Sequence, residues 1–230
     1  MGHQENISRI KAVYNALGPL KDKVVFVGGA TVSLYRERDW PEVRITEDVD
    51  IVIEIWQYSS YAALEEQLRS IGFVNDQASG IICRFTYGQT VVDIMPTEGK
   101  VLGFSNRWYP EGFKLAIDYT IDPQHTIKIF SAPYFLAAKL DAFLDRGHGD
   151  GRTSSDFEDI VFLLEHRSAI WKECEAAPLE VRTYLKTEFK KLLTNLFLEE
   201  WIDAHIDFRS PPSTDYIIEQ LREFVRSPTL

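Results

Sequence analysis

The sequence is poor in cysteine and has no long apolar run. Its 230 residues include two cysteines, Cys83 and Cys174, and neither lies in a Cys-x-x-Cys or Cys/His pattern. A disulfide framework and a structural zinc site both need such spacings, so the sequence argues against both. Apolar runs such as residues 160–164 are far shorter than the ~20 residues of a membrane span. We therefore expect a protein of the reducing cytoplasm with no membrane partner.

Positive charge is also scarce. Lys and Arg total 25 against 35 Asp and Glu, which gives a formal net charge of -10 at pH 7. Proteins that bind nucleic acid along its backbone usually carry a positive excess. Any contact with RNA or DNA is therefore expected to be confined to a local basic patch, or to depend on bound cations.

The first 130 residues alternate between helix and strand patterns. The opening MGHQENISRIKAVYNALG has no apolar segment followed by a cleavage site, so it predicts an amphipathic helix rather than a signal peptide. Residues 24–27 predict a buried strand that runs into Gly28-Gly29, and residues 30–38 predict a helix. Residues 48–56 alternate between apolar and acidic positions, as a half-buried strand does. The remaining predictions are a helix over 60–70 and strands over 81–87, 90–95, 114–119 and 126–130.

From residue 131 onward the patterns are helical only. Predicted helices cover residues 132–144, 179–205 (as one helix or two) and 214–225. Another begins at Ser155-Asp156-Phe157-Glu158, which has the Ser-x-x-Glu form of a capping box. We therefore predict an α/β (α+β) fold. A mixed β-sheet with flanking helices forms a catalytic domain over residues 1–130, and a helical domain follows over residues 131–230 and closes over the nucleotide.

Three aspartates have the pattern of a metal site for phosphoryl transfer. Asp48 and Asp50 are two residues apart on a predicted strand, so both carboxylates project from one face. Asp93 lies in the apolar segment VVDIM, where a carboxylate without a partner is costly. Divalent metals neutralise a triphosphate and activate an attacking hydroxyl, and Mg²⁺ prefers carboxylate oxygens. We predict that the three aspartates converge on Mg²⁺ or Mn²⁺.

The pair Gly28-Gly29 lies where a predicted strand meets a predicted helix. Bare backbone lets a phosphate approach at such a junction, and the N-terminus of the following helix favours an anion. Thr31 and Ser33 come next along the chain. The sequence therefore predicts that these four residues cradle the phosphates of a nucleoside triphosphate.

The order of these features resembles the DNA-polymerase-β-like nucleotidyltransferase superfamily. Its pattern is a strand, Gly-Gly or Gly-Ser opening a helix, Asp-x-Asp on the next strand and a later third carboxylate; here these are VFVGGATVSLY, EDVDIVIEI and VVDIM. The spacing from the glycine pair to Asp-x-Asp is on the long side. The segment KLDAFLDRGHGDGRTSSDFEDIVFLL is similar to a region of the AbiEii/AbiGii toxin-type transferases, where a helical Lys precedes an Arg and Asp-x-x-Asp. Residue by residue, the resemblance implies nucleotide binding by Lys139, by Arg146 or Arg152, and by Asp156 and Asp159.

The resemblance also implies a reaction and a biological role. The reaction moves a nucleoside monophosphate from a nucleoside triphosphate to an acceptor hydroxyl and releases pyrophosphate. The role is that of a toxin in a toxin–antitoxin or phage-defence system, with a tRNA 3′ end or a protein hydroxyl as acceptor and an antitoxin as partner. Two alternatives stay open. One is a small-molecule acceptor, as in antibiotic-adenylylating transferases, which the acidic net charge favours mildly, and the other is a catalytically silent module that binds a nucleotide or a partner.

The three aspartates also have ordinary structural explanations. The solvent face of an edge strand would place Asp48 and Asp50 together without any metal, because charges there discourage aggregation. A salt bridge to Arg84 would satisfy a buried Asp93. Each explanation predicts a contact or an exposure that the structure can show.

The candidates in the helical half have ordinary explanations as well. Asp156 suits the first turn of a helix because a carboxylate there complements the helix dipole. Asp159, one turn further on, would hold Lys139 or Arg152 in position. Lys139 itself would be a surface lysine if its helix position is exposed.

Overall fold

The chain divides into two compact units. A computed structural model describes residues 2–37, 43–55, 57–103, 106–147, 149–207 and 212–228. One unit comprises Met1–Leu34 and Glu42–Ser131, and the other comprises Tyr35–Pro41 and Ala132–Leu230. The first unit holds the strands, and the second is helical.

The described part of the first unit forms a seven-stranded mixed sheet with helices around it. The helices are α1 (Gly2–Ala16), α2 (Tyr58–Ser70) and α3 (Tyr109–Lys114), with 3-10 helices at Gly18–Lys23 and Gly29–Tyr35. The strands are β1 (Val24–Val27), β2 (Asp48–Ile53), β3 (Val74–Asn75), β4 (Arg84–Tyr87), β5 (Thr90–Pro96), β6 (Ile117–Asp122) and β7 (His125–Ile129). Their order across the sheet is β3-β4-β5-β2-β1-β7-β6.

The central strand β2 sets the register of the site. β1 runs antiparallel to β2 and pairs Val27 with Asp50, while β5 runs parallel to β2 and pairs Asp50 with Asp93. β4 runs antiparallel to β5 and pairs Arg84 with Asp93. Residues in register on neighbouring strands project from the same face, and Asp48 joins them because the side-chain period of a strand is two.

The apolar residues between these positions form the core of the sheet. All four residues of β1 are buried, as are Val49 and Ile51, which alternate with the two aspartates of β2. Ile10 and Val13 of α1 are fully buried, and α1 contacts β2, β5 and β7. The site residues are therefore carried by strands that a packed core holds rigidly.

Some predicted boundaries in the first unit are wrong. The helix predicted over 30–38 is the 3-10 helix Gly29–Tyr35, and Arg38 lies outside the described residues. The Thr31 amide donates to the Gly28 carbonyl, three residues back, which is the 3-10 pattern. The strand predicted over 48–56 ends at Ile53, and Trp56 lies outside the described residues. The strand predicted over 114–119 begins at Ile117, because α3 occupies the residues up to Lys114, and the strand predicted over 126–130 is His125–Ile129.

The second unit is built from helices around a shared apolar core. They are α4 (Ala132–Arg146), α5 (Ser155–His166), α6 (Ile170–Ala176), α7 (Leu179–Leu192), α8 (Leu198–Asp203) and α9 (Thr214–Arg226), with a 3-10 helix at Gly151–Thr153. Phe143, Phe157 and Trp201 form an aromatic cluster with ring centroids 5.1–5.8 Å apart. No helix among the described residues is long and apolar enough to cross a membrane.

Two helix predictions in this unit were resolved by the structure. The segment 179–205 forms two helices, α7 and α8, as one of the two interpretations expected. The capping box at Ser155 is wrong by one residue: Ser154 is the N-cap, and its Oγ accepts a hydrogen bond from the Phe157 amide at 3.3 Å. The third residue of the helix is then Phe157 rather than Glu158. A capping box needs a Glu or Gln there, whose side chain accepts a hydrogen bond from the N-cap amide, so only the Ser154 cap is present.

Candidate active site

The three predicted aspartates come together at the centre of the sheet. Asp48, Asp50 and Asp93 each offer one carboxylate oxygen, and these oxygens lie within 4.8 Å of one another. Asp93 is 9% exposed, and the other two are half-buried. Oxygens that share an Mg²⁺ ion at its usual bond length lie roughly 3–4 Å apart, so small side-chain movements suffice. Three carboxylates on two adjacent strands are a donor set that fits a hard divalent cation.

Arg84 lies on the same face of the sheet and contacts two of the three carboxylates. Its Nε and Nη2 donate to the two oxygens of Asp93 at 2.8 and 2.7 Å, and Nη2 also reaches Asp48 Oδ2 at 3.2 Å. The hydrogen bonds to Asp93 raise the pKa of Arg84 above its ordinary value, so the guanidinium stays charged. The salt bridge considered for Asp93 therefore exists in this structure. A metal and Arg84 would compete for the same oxygens.

The glycine pair lies directly against this cluster. Gly28 follows β1 with a φ of +72°, and a Cβ on it would lie 1.9 Å from Oδ2 of Asp50. A Cβ on Gly29 would lie 2.7 Å from Nη2 of Arg44 and 3.0 Å from Cγ2 of Thr46. At Gly28, glycine is required on both conformational and steric grounds, whereas a side chain at Gly29 would displace the end of the Arg44 side chain. The bare backbone thus runs between a carboxylate and a guanidinium.

The hydroxyls of Thr31 and Ser33 are engaged inside the unit. Thr31 is fully buried, and its hydroxyl donates to the Gly28 carbonyl at 2.9 Å. Ser33 is 1% exposed, and its hydroxyl shares a hydrogen bond of 2.8 Å with Nδ1 of His3. In this structure the Thr31 side chain therefore stabilises the glycine loop, and the Ser33 side chain links the 3-10 helix to α1. Their direct contact with phosphate stays a prediction.

A buried thiol and a buried phenol lie behind the carboxylates. Burial raises the pKa of Cys83 to about 12, and the charge of Asp93 adds to the effect. The Tyr61 hydroxyl donates to the Ile94 carbonyl at 3.0 Å, and burial raises its pKa as well. Both groups are therefore neutral at physiological pH. Neither has the charge of a thiolate or phenolate nucleophile.

A second cluster of charged residues joins α4 to α5 in the helical unit. Lys139 Nζ lies 3.0 Å from Asp156 Oδ1 and 2.7 Å from Asp159 Oδ2. Arg146 donates to both oxygens of Asp156 at 2.8 and 3.0 Å. Lys139 is 8% exposed and the aspartates 3% and 2%, so the alternative explanation of Lys139 as a surface lysine is wrong. The charges of the two aspartates make burial of the ammonium tolerable.

The pKa of Asp156 shows that its basic partners stabilise the ionised carboxylate. Burial opposes ionisation of the carboxyl, but the hydrogen bonds and charges of Arg146 and Lys139 outweigh burial and lower its pKa. Arg152, the alternative arginine, instead contacts Asp150 and Glu200 and is largely exposed. The structure thus brings Lys139 and Arg146 together with the Asp-x-x-Asp pair. Nucleotide binding by these residues and by Arg152 stays a prediction.

The family of the chain can be read from a comparison that covers both units. Residues 11–225 match the model of a family described as nucleotidyl transferase AbiEii toxin, type IV toxin–antitoxin system. The chain belongs to the AbiEii family. No curated protein matches it. The AbiEii match confirms the resemblance seen in the sequence and the assignment as a nucleotidyltransferase, and the mixed sheet with its helices confirms the predicted α/β class.

Two residues beside the candidate site were not singled out from the sequence. Arg44 lies against Gly29, and the buried Asn6 holds the segment that carries Arg44. A signal for Asn6 was present: it is a polar residue at helical spacing with Ile10 and Val13 on the apolar face of α1. A buried amide must find partners, so its position pointed to a specific contact. For Arg44 no periodicity gives a signal, because it precedes the strand.

Proposed function

We propose that the protein transfers a nucleoside monophosphate from a nucleoside triphosphate to an acceptor hydroxyl, with Mg²⁺ or Mn²⁺ held by Asp48, Asp50 and Asp93. The observation that supports this is the convergence of the three carboxylates beside the bare backbone of Gly28-Gly29. When bound, divalent cations at such a site neutralise the triphosphate and lower the pKa of the attacking hydroxyl. The family match supports the same reaction class.

Each residue has a distinct part in the proposed reaction. Asp48 and Asp50 would hold both metals. Asp93 would hold the catalytic metal and lie near the attacking oxygen, where its carboxylate accepts or directs the hydroxyl proton. The acceptor oxygen forms a bond to the α-phosphorus while the bond from that phosphorus to the bridging oxygen breaks and pyrophosphate leaves. Gly28 and Gly29 carry no side chains of their own, so phosphates that approach this backbone meet the neighbouring Asp50 carboxylate, with the metal it would hold, and the Arg44 guanidinium.

The biological setting follows from the family. A type IV toxin–antitoxin family implies an antitoxin partner, and we place the reaction in the cytoplasm. We propose a tRNA 3′ end or a protein hydroxyl as acceptor. The net charge of -10 is the observation that favours a small-molecule acceptor as the second candidate, because a long RNA backbone would be repelled. A catalytically silent module is the third possibility and predicts no pyrophosphate release.

The decisive experiment measures product and acceptor together. The purified protein is incubated with each of the four α-³²P-labelled ribonucleoside triphosphates and Mg²⁺ or Mn²⁺, with bulk tRNA, total protein or a mixture of antibiotics as acceptor. We expect pyrophosphate release and label on a macromolecule. Label on the antibiotics alone would support the second candidate. No pyrophosphate with any triphosphate, metal and acceptor would reject the enzyme.

An Asp50→Asn variant tests the site itself. The amide keeps the size of the side chain and removes the charge that binds a hard cation, so transfer should fall by about 1,000-fold or more. Asp118→Asn on the exposed strand β6 is the matched control and should transfer at the wild-type rate. Wild-type transfer by Asp50→Asn would remove the carboxylate cluster from the active site.

A further inference from the structure

We propose that Arg44 binds the β- and γ-phosphates of the triphosphate over Gly29 and that Asn6 positions it. The inference rests on the proposed function and extends its site by two residues. Nη2 of Arg44 lies 2.7 Å, and its Cζ 3.4 Å, from the place where a Cβ on Gly29 would be. The Arg44 side chain is half-buried, and the end of its guanidinium lies against the glycine loop.

The Arg44 guanidinium supplies positive charge, which the glycine loop itself lacks. The helix that follows the loop is a 3-10 helix of seven residues, Gly29–Tyr35, too short to give the strong anion site predicted from the sequence. The hydroxyls of Thr31 and Ser33 are engaged by the Gly28 carbonyl and by His3. Neither the helix nor the hydroxyls therefore provide much charge for a triphosphate.

The chemistry of the leaving group favours arginine at this point. Pyrophosphate gains negative charge as the bond to the α-phosphorus breaks, and a fixed cation stabilises that charge without reorganising. The planar guanidinium binds phosphate oxygens in pairs and keeps its charge at any physiological pH. Arg84, on the same face of the sheet as the aspartates, donates hydrogen bonds to Asp93 and Asp48.

Asn6 fixes the backbone that carries Arg44. Its amide nitrogen donates to the Arg44 carbonyl at 3.0 Å, and its Oδ1 accepts from the Thr46 amide at 3.1 Å. Asn6 is fully buried. Gly2, one helical turn earlier, allows the backbone of Val43 to approach, because a Cβ there would lie 1.9 Å from the Val43 carbonyl oxygen. The first turn of α1 therefore holds in place the segment that leads into Asp48.

This arrangement predicts a specific signature in ligand binding. Arg44 contacts the terminal phosphates and not the nucleoside, so its loss should weaken binding of triphosphate and pyrophosphate but not of monophosphate. Removing a charged hydrogen-bonding partner of this kind corresponds to about a 10- to 100-fold loss of affinity. The affinity ratio between triphosphate and monophosphate therefore separates a binding role from a merely structural one.

The test is calorimetry with Mg²⁺ on the wild-type protein and on Arg44→Gln, Arg44→Lys and Asn6→Asp. The ligands are the tightest-binding of the four triphosphates, its monophosphate and inorganic pyrophosphate. We expect Arg44→Gln to lose about 10- to 100-fold in affinity for the triphosphate and for pyrophosphate, while its affinity for the monophosphate stays within about twofold of wild type. Arg44→Lys should recover part of the lost affinity. Asn6→Asp keeps the acceptor for Thr46 and removes the donor to Arg44, so it should show a smaller loss of the same kind. Arg69→Gln, at an exposed position of α2, is the control and should bind as wild type.

Three outcomes overturn the inference, and they differ in what else they overturn. A wild-type protein that binds no triphosphate with Mg²⁺ rejects the proposed function together with this role. Wild-type affinity in Arg44→Gln, while Asp50→Asn loses binding, rejects Arg44 alone. An equal loss of monophosphate and triphosphate affinity, with a lower melting temperature, makes Arg44 a structural residue.

Discussion

Both units gather aspartates against basic side chains, but the two clusters differ in burial and surroundings. In the sheet unit, Asp48 and Asp50 are half-buried and lie beside glycines whose backbone is bare. In the helical unit, Asp156 and Asp159 are 3% and 2% exposed, and Lys139 is held between them. The two aspartates of β2 are thus more exposed and border bare backbone, whereas those of α5 are buried against Lys139 and Arg146.

The difference teaches how to separate a binding site from a structural ion cluster. A buried carboxylate costs several kcal/mol unless opposite charges and hydrogen bonds compensate it, so a compensated cluster stabilises the structure that holds it. Like charges that converge near the surface disfavour one another, and a divalent cation would compensate the three sheet carboxylates more fully than the single charge of Arg84 does. The same residue type thus predicts opposite effects of mutation in the two units.

The largest effect on stability is expected from Lys139→Met. The change leaves Asp159 buried without its ammonium partner, and breaking a buried pair in this way costs roughly 3–5 kcal/mol. Triphosphate affinity, measured by calorimetry at a temperature where the variant is folded, should stay within about twofold of wild type. Chemical denaturation gives the free energy of unfolding. A stable variant with weakened, salt-sensitive triphosphate binding would instead support the prediction that Lys139 binds the nucleotide.

The next largest effect is expected from Gly28→Ala, which tests how closely the glycine loop and Asp50 fit. Alanine at a φ of +72° costs about 1 kcal/mol, and its Cβ would also displace the Asp50 carboxylate. Gly80→Ala is a matched control, since Gly80 has a φ of +71° and no atom within 4 Å of the added Cβ. Both variants should therefore lose a similar amount of stability through backbone strain. Mg²⁺ affinity, measured by calorimetry, should fall only in Gly28→Ala, and equal Mg²⁺ affinities would show that the contact with Asp50 is unimportant.

A smaller effect of opposite sign is expected from Arg84→Gln. The guanidinium occupies oxygens of Asp93 and Asp48 that a metal would need, so its removal should tighten Mg²⁺ binding by about 3- to 10-fold. Without metal the variant should lose about 1 kcal/mol of stability, because a partly exposed ion pair is lost. Titration calorimetry with Mg²⁺ and thermal melts at several Mg²⁺ concentrations measure both quantities. Weaker Mg²⁺ binding in the variant would mean that Arg84 orients the carboxylates instead of competing with the metal.

Much of the candidate site was predictable because it depends on short-range periodicity. The two-residue spacing of Asp48 and Asp50 dictates a shared face, and the apolar neighbours of Asp93 placed it on an inner strand. The partnership of Arg84 with Asp93 was foreseen only as an alternative. Strand register, which a sequence pattern does not specify across a sheet, decides that both lie side by side.

Other features could not be predicted because they depend on tertiary contacts. Lys139 has an ordinary helix position for a lysine, and its burial follows from carboxylates 17 and 20 residues later that the packing of α4 on α5 brings to it. Arg44 lies outside any periodic element, and the hydrogen bond from Asn6 to the Arg44 carbonyl joins residues that are 38 positions apart. The helix after Gly28-Gly29 was predicted without its type, because a period of three residues and one of 3.6 cannot be distinguished over so short a segment.

The smallest effect is expected from Arg146→Gln, and its pH dependence tests the cluster in the helical unit. The pKa of Asp156 is lower in the folded protein than in the unfolded chain, so the unfolded chain binds more protons between the two pKa values and stability rises with pH there. The contribution of the Arg146–Asp156 pair is therefore fully present above the ordinary aspartate pKa of about 4 and is lost as pH falls below it. Because the Arg146 side chain is 68% exposed, we expect a difference of at most about 1 kcal/mol between wild type and variant. Urea denaturation at constant ionic strength measures the difference in free energy of unfolding between wild type and variant, which should be constant from pH 5 to pH 7 and shrink toward pH 3. A difference that persists at pH 3 would mean that Arg146 stabilises α4 and α5 by packing and not by charge.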